Sequence, residues 1–206
     1  DSLGTITLKG SYSKASGLIP FELKSPRMQI TGDIGTNAEN KELKGEINAD
    51  GEDLRVLQPY ISDYVSDLKG YATGKLTLSG TTDKPLAIGS LRLDSVGVKV
   101  DYLGTHYTFN NETIRFTDKA IDVGAITLHD DYNNTALLSG KINHTNYDDL
   151  NFDLNIKTNK FQFLNTTYDD NSQYYGEAIV SGSIHFYGPL KDMQMVVTVT
   201  PADNSH

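Results

Sequence analysis

Apolar residues alternate with polar ones in segment after segment of this chain. The alternating apolar positions are Leu76, Leu78, Leu91, Leu93, Val96, Val98, Val100, Tyr107, Phe109, Ile114, Phe116, Ile121, Val123, Ile126, Leu128, Leu138, Phe152, Leu154 and Ile156. A period of two predicts strands with one buried face. Polar residues such as Lys75, Arg92 and Asp153 occupy the intervening positions, so the other face is expected to meet water, as antiparallel sheets allow. The chain is therefore predicted to be all-β and antiparallel.

A glycine-bounded phrase recurs along the chain at irregular intervals. It reads GTITLKG from Gly4 to Gly10, GKLTLSG from Gly74 to Gly80 and GSIHFYG from Gly182 to Gly188. The irregular spacing differs from the constant period of a propeller or a tight solenoid and favours a long meander. Residues that suit turns separate the strands at Asp83-Lys84-Pro85, Asn110-Asn111, Asn133-Asn134, Asp148-Asp149 and Asp169-Asp170-Asn171.

One segment has the spacing of a helix instead. Apolar residues recur every three or four positions at Leu54, Leu57, Ile61, Val65 and Leu68. This pattern predicts one short amphipathic helix near residues 53–69. Pro59 is expected to divide it into a short turn and a main helix, and Gly70 is expected to end it. The helix would cover one end of the sheet, and a movable plug is the alternative.

The sequence offers little support for catalysis, for metal binding or for nucleic-acid binding. It contains no cysteine and no nucleophile elbow, phosphate-binding loop or dinucleotide fingerprint. The five histidines are scattered, and His129 with Asp130 and Asp131 is interpreted as a solvated turn. The net charge of −9 has no basic stretch to set against it, which disfavours nucleic acid as a partner. We therefore expect no enzymatic activity and no cofactor.

The chain also lacks an apolar segment of the roughly 20 residues that a membrane-spanning helix needs. It begins with Asp-Ser-Leu-Gly, which does not resemble a secretory leader. Strand-like sequence occurs at both ends, near Thr5 to Lys9 and Met195 to Thr200. We expect a fragment of a longer repetitive protein, with any membrane anchor outside residues 1–206.

A sheet of many strands with one apolar face has to cover that face. It can form a sandwich, close into a barrel or curve into an open trough, and periodicity does not choose between them. A trough would suit a lipid chain, because a lipid with roughly 30 chain carbons in water faces a cost on the order of 24 kcal/mol at about 0.8 kcal/mol per methylene. Such a face requires no metal, acid or base.

The order of segments resembles the TamB family. The resemblance runs from Gly45 to about Gly188 and includes GEDLRVLQPYISDYVSDLKG, YATGKLTLSG, TTDKP and the stretch from Gly89 to Asp131. It implies a long curved antiparallel sheet with a taco-shaped (U-shaped) apolar groove. It also implies a periplasmic segment of an inner-membrane-anchored protein that reaches toward a TamA-type outer-membrane barrel. The expected role is phospholipid transport between the two membranes, with residues 1–206 as a single stretch of the groove.

The apolar face supplies the expected contacts with phospholipid acyl chains. These collective groove residues are Leu76, Leu78, Leu91, Leu93, Val98, Tyr107, Phe109, Ile114, Phe116, Ile126, Leu128, Leu138, Phe152, Leu154 and Ile156. Two other functions stay open. An assembly factor for outer-membrane proteins would use exposed strand edges. A closed sandwich for adhesion or carbohydrate binding would need an exposed aromatic platform, and the chain has no tryptophan.

Overall fold

The computed structural model describes residues 7–10, 17–35, 41–169 and 175–202, with side chains described from residue 17 onward. These residues form one sheet of thirteen antiparallel strands. The strands are β1 (Thr7–Gly10), β2 (Leu18–Lys24), β3 (Met28–Gly35), β4 (Leu43–Asp53), β5 (Val65–Gly80), β6 (Pro85–Val100), β7 (Thr105–Phe109), β8 (Glu112–Phe116), β9 (Ala120–His129), β10 (Thr135–Thr145), β11 (Asp148–Thr166), β12 (Gly176–Pro189) and β13 (Gln194–Pro201). The predicted all-β antiparallel fold is confirmed.

The strands follow one another in chain order across the sheet. β7 and β8 are the exception, because both pair with β6 and β9 and so form the two halves of one interrupted strand. The interruption falls at Asn110-Asn111, where Asn111 has a φ of 57°. The predicted turns before Pro85 and at Asn133 are also present. The turn predicted at Asp148-Asp149 lies two residues earlier, at Asn146 and Tyr147, and Asp170-Asn171 lies outside the described residues.

The predicted short helix near 53–69 is present, but it ends earlier than the apolar spacing indicated. A 3₁₀ turn covers Leu54–Leu57, and a single α-helical turn, α1, covers Gln58–Ile61 with Pro59 at its start. The division at Pro59 and the short turn before it are confirmed. From Val65 onward the chain is strand β5, and Gly70 lies inside that strand rather than at a helix end. Leu54 is buried against β5 and β6, so this segment does cover one end of the sheet.

Strand register places one apolar face on the whole sheet. Residues directly paired in an antiparallel sheet lie on the same face, as do residues two apart in a strand. One row of paired residues crosses ten strands and contains only leucine, isoleucine, phenylalanine and glycine. The row consists of Leu23, Ile30, Ile47, Leu76, Gly89, Phe116, Ile121, Ile142, Phe152 and Gly188. We call the face that carries it the inner face.

Glycines on the inner face let the strands approach closely beneath leucine side chains. Leu76 is paired with Gly89, and Leu91 is paired with Gly74. A Cβ atom at Gly89 would lie 2.2 Å from the Lys75 carbonyl oxygen and 3.2 Å from the Leu76 Cδ2 atom. A side chain at this position would therefore force the two strands apart. The glycine-bounded phrases of the sequence have this structural role in β5 and β6.

The second half of the sheet curls until distant strands touch. The Asn165 amide in β11 donates to the Leu103 carbonyl before β7 at 2.8 Å, and Tyr107 Oη donates to the Gln162 carbonyl at 3.0 Å. At the opposite end of the strands, Tyr147 Oη donates to the Ala87 carbonyl in β6 at 2.6 Å. These contacts join strands that are not neighbours in the sheet. They hold the inner face on the concave side of the curl.

Candidate functional site

The fifteen residues predicted to line a groove all lie on the inner face. Strand pairing and the alternation along each strand place them on one face, as in the paired series Phe116, Ile121, Ile142 and Phe152 in successive strands. Five of the fifteen are buried, namely Leu76, Leu93, Tyr107, Ile126 and Leu128. The other ten are half-buried, and none is exposed.

Part of the inner face forms a closed core. Phe161 is only 1% exposed, and its ring stacks on Tyr107 with the ring centroids 5.0 Å apart. Val123 and Ala136 complete this cluster with Ile126 and Leu128. The predicted set did not include Phe161. Residues Lys160 to Leu164 read KFQFL, and a bulge at Lys160, with a φ of 58°, changes which of these side chains point inward. In this part of the sheet, the apolar side chains of the inner face bury one another.

A second core cluster lies beside the first. Leu54 from the 3₁₀ turn packs with Ala72, Leu93 and Val96. Phe109 and Ile114 are half-buried and pack against both clusters. The two clusters therefore form one continuous packed region across β5 to β11.

The row that crosses ten strands remains much more open than these clusters. Leu76 is buried, whereas Ile47, Phe116, Ile142 and Phe152 are half-buried. Nine steps between strands at about 4.8 Å each give the row a length of about 43 Å along the sheet. An acyl chain spans about half of the ~30 Å hydrocarbon core of a bilayer. The row is therefore longer than one acyl chain.

An aromatic pair lies at the end of the strands nearest this row. The Tyr147 ring stacks on His144 with centroids 4.4 Å apart, and its hydroxyl reaches across to Ala87. His144 is buried, and its Nδ1 atom accepts a hydrogen bond from the Tyr147 amide at 3.1 Å. Because burial removes the phenolate from water, the pKa of Tyr147 is raised. Tyr147 thus bridges β6 and the turn between β10 and β11.

Burial raises the pKa of Tyr107 to about 12. Its ionised form would lie in the packed cluster beside Phe161, where water cannot solvate the charge. The neutral hydroxyl instead donates to the Gln162 carbonyl. The folded state therefore requires neutral Tyr107.

We expect the free energy of unfolding to fall as the pH rises from about 10 to 12. Unfolded tyrosine ionises near pH 10, whereas folded Tyr107 holds its proton to about pH 12. The stabilisation is complete below pH 10 and is lost as the pH rises through 12, with a magnitude on the order of 2–3 kcal/mol. Urea unfolding of the chain and of Tyr107→Phe at several alkaline pH values measures this slope. An equal slope in both proteins would contradict the assignment.

The outer face carries a small polar cavity where strand β7 gives way to β8. The cavity has a volume of about 320 Å³ and is lined by Lys69, Ser95, Val96, Thr108, Phe109, Asn110, Glu112, Thr127 and His129. Asn110 Oδ1 accepts from the Ser95 amide at 2.7 Å, and Glu112 Oε1 accepts from the Thr127 amide at 3.0 Å. These side chains replace the backbone partners that the interrupted strand does not supply.

The acidic turn after His129 is only partly as predicted. Asp131 is exposed, but Asp130 is 6% exposed and is not a solvated residue. Its carboxylate accepts hydrogen bonds from the amides of Tyr132, Asn134 and Gln162 at 2.8 to 3.0 Å. Asp130 therefore ties the turn between β9 and β10 to strand β11. In the described part of the chain, no group of three or more histidine or acidic side chains is placed to hold a metal ion.

Comparison with known proteins identifies a family for the second part of the chain. Residues 124–205 match the family model of the TamB C-terminal domain. No curated protein and no solved structure matches the chain. Among the described residues, no helix is long and apolar enough to cross a membrane. Over residues 124–205, the match confirms the resemblance to the TamB family.

The matched family is a non-enzymatic one. Its members are envelope proteins of the translocation and assembly module, in which they work with TamA. The expectation that this chain is not an enzyme agrees with that family. The function associated with that family is envelope biogenesis.

Proposed function

We propose that this TamB-like chain offers its inner face to phospholipid acyl chains as one stretch of a periplasmic groove between the inner and outer membranes. The observation that carries the proposal is the row of paired apolar residues and glycines across ten strands. Most of its side chains are half-buried, so they are not fully used by the core. The whole of residues 1–206 is taken as a single segment of this groove.

The row can contribute to lipid transfer without any specific polar contact. Each methylene removed from water contributes about 0.8 kcal/mol, so a continuous apolar surface removes most of the cost of moving a chain through water. Phe116 and Phe152 lie at positions where a chain lying along the row would touch them. Their neighbours Thr113 and Asn151 face outward on the same strands and are exposed.

Photocrosslinking tests the proposal directly. We expect p-benzoylphenylalanine at position 116 or 152 to form phospholipid adducts in the full-length protein in Gram-negative cells, measured by mass spectrometry. The same probe at position 113 or 151 serves as the matched outer-face control. Adducts of equal yield on both faces, or none at 116 and 152, would overturn the groove.

A second candidate function rests on strand β13. All its residues except Val199 are exposed, including Met195, Val196 and Val197, and among the described residues it pairs only with β12. An apolar edge of this kind can accept an added strand from another protein. This edge supports the alternative role of an assembly factor for outer-membrane proteins.

Substitutions on the edge distinguish the two roles. Val196→Lys with Thr198→Lys would hinder strand addition, because lysine on an edge disfavours pairing. For the assembly role, we expect this variant to lower outer-membrane protein levels while lipid adducts at position 116 persist. Loss of the adducts with normal outer-membrane proteins would reject that role.

A further inference from the structure

The two ends of the sheet differ in chemistry. In a meander, alternate connections lie at the same end of the strands. The connections 25–27, 54–64, 101–104 and 130–134 lie at one end, together with the described residues 167–169 and 175 of the next connection, and we call this the tyrosine end. The connections 81–84, 117–119, 146–147 and 190–193 lie at the other, which we call the lysine end.

Exposed tyrosines are concentrated at the tyrosine end. Each of its connections except 25–27 carries at least one exposed tyrosine, and the exposed fractions of these tyrosines range from 57% to 84%. These residues are Tyr60, Tyr64, Tyr102, Tyr132, Tyr168 and Tyr175. The one described tyrosine in the connections of the lysine end, Tyr147, is half-buried and turned inward to Ala87.

Hydrogen bonds join the tyrosine-bearing connections into one surface. The Asp101 amide donates to the Tyr64 carbonyl at 3.2 Å, and the Asn165 amide donates to the Leu103 carbonyl at 2.8 Å. Further along, Tyr168 and Tyr175 meet edge to face with centroids 5.4 Å apart.

The same surface continues to the connection between β9 and β10. Tyr132 Oη donates to Glu177 Oε1 at 2.7 Å, and that carboxylate also accepts from Gln162 Nε2 at 2.8 Å. The tyrosines thus belong to a connected rim rather than to separate loops.

Charge also separates the two ends. The described residues of the connections at the tyrosine end include five aspartates, and Arg27 and Arg55 are the arginines among them, with no lysine. Arg55 is paired with Asp53 at 2.6 Å between Nη2 and Oδ2. The four connections of the lysine end carry three aspartates and three lysines, as Asp83-Lys84, Asp118-Lys119 and Lys191-Asp192, and Lys41 and Glu42 at the same end add one charge of each sign. The tyrosine end is therefore acidic, and the lysine end is balanced.

We propose that the tyrosine end is a docking surface for a protein segment rich in lysine and arginine. Exposed tyrosines supply rigid apolar area and ring faces that attract cations, especially arginine. Asp63, Asp131 and Asp169 are exposed carboxylates beside these rings and complement a positive partner. An anionic lipid surface would be repelled by the same charges. A neutral glycan would use the rings without needing the carboxylates.

NMR of the chain with ¹³C-labelled tyrosine tests this surface. The probes are a decapeptide of alternating arginine and glycine, an N-acetylglucosamine tetramer and vesicles of phosphatidylethanolamine with phosphatidylglycerol. We expect the peptide alone to shift the resonances of Tyr60, Tyr64, Tyr102 and Tyr132. Tyr147 and Tyr187 are the internal controls and are expected to stay unshifted.

Two sets of variants separate specific docking from general charge attraction. The triple variant Asp63→Asn, Asp131→Asn and Asp169→Asn is expected to lower the affinity for the peptide at least tenfold. The matched variant at the lysine end carries Asp83→Asn, Asp118→Asn and Asp192→Asn and makes the same change in net charge. It is expected to lower the affinity for the peptide less than twofold. Tyr64→Ser with Tyr102→Ser is also expected to weaken it tenfold.

Several outcomes would overturn the proposal. Equal losses from the two aspartate sets would mean that only net charge matters. Unchanged affinity of the tyrosine variant would remove the rings from the interaction. Shifts of the tyrosine resonances with the glycan would indicate that the surface binds carbohydrate. Shifts with the vesicles would indicate that it binds a membrane. The absence of a shift with the peptide would show that this end does not bind a basic segment.

Discussion

Replacing both Phe116 and Phe152 by aspartate is expected to lower the phospholipid that co-purifies with the chain at least tenfold. The two side chains lie in the half-buried row on the inner face and are joined through Ile121 and Ile142. A carboxylate against an acyl chain loses its hydration without gaining a partner, which costs several kcal/mol. Native mass spectrometry and lipid extraction from the protein produced in a Gram-negative periplasm measure the bound lipid.

The matched control carries the same two charges on the outer face. Thr113→Asp with Asn151→Asp alters exposed positions on the same strands, β8 and β11. We expect it to retain lipid at the level of the unaltered chain. Circular dichroism and thermal unfolding establish that both variants remain folded. A folded inner-face variant that keeps its lipid would contradict the proposed groove and favour a sheet whose face serves only as core.

The strands and their shared face were predictable because both depend on local pattern. A two-residue period places alternate side chains on opposite faces whatever the neighbouring strands do. Consecutive strands joined by short turns pair with each other, so the chain order Leu76, Leu91 and Ile114 becomes spatial order. All fifteen predicted residues consequently lie on one face.

The helix was predicted to extend too far because a bulge imitates helical spacing. Asp67 has a φ of 52°, and the register between β5 and β6 shifts between Ser66 and Lys69. The extra residue turns both Val65 and Leu68 toward the inner face, although they lie three positions apart. A spacing of three is the signal of a helix, and a single sequence does not distinguish it from a bulged strand.

The contacts that curl the sheet were not predictable from the sequence. Tyr107 meets Gln162 and Phe161 across more than fifty residues, and Tyr147 meets Ala87 across sixty. Nothing in the local pattern of either partner indicates the other. For the same reason, the division of the inner face into a packed core and a half-exposed row appears only in the folded chain.

The tyrosine end was indicated in the sequence by adjacent aspartate and tyrosine residues, which play no part in the prediction of strands. Aspartate and tyrosine are adjacent at Asp63-Tyr64, Asp101-Tyr102, Asp131-Tyr132 and Tyr168-Asp169. A fifth pair, Tyr147-Asp148, lies at the opposite end, so composition alone does not sort them. Only the order of strands shows that four of the five share one end. The shared position of these polar loops can therefore be recognised only once the topology is known.

The packed cluster around Phe161 sets how firmly the curl is held. Phe161 is the most deeply buried aromatic residue described, and it joins β11 to Tyr107 in β7. Truncation would leave a cavity between strands that are not neighbours in the sheet. The hydrogen bonds from Asn165 to Leu103 and from Tyr107 to Gln162 flank this contact, so they would weaken with it.

Phe161→Ala is expected to lower the free energy of unfolding by about 3–5 kcal/mol, the usual cost of removing a buried phenylalanine. Phe163→Ala is the matched control, because Phe163 lies two residues away and is only half-buried. We expect a clearly smaller loss from it. Urea unfolding followed by circular dichroism measures both variants. Equal losses would mean that the Tyr107–Phe161 contact does not hold the curl, and that pairing along β11 alone fixes its shape.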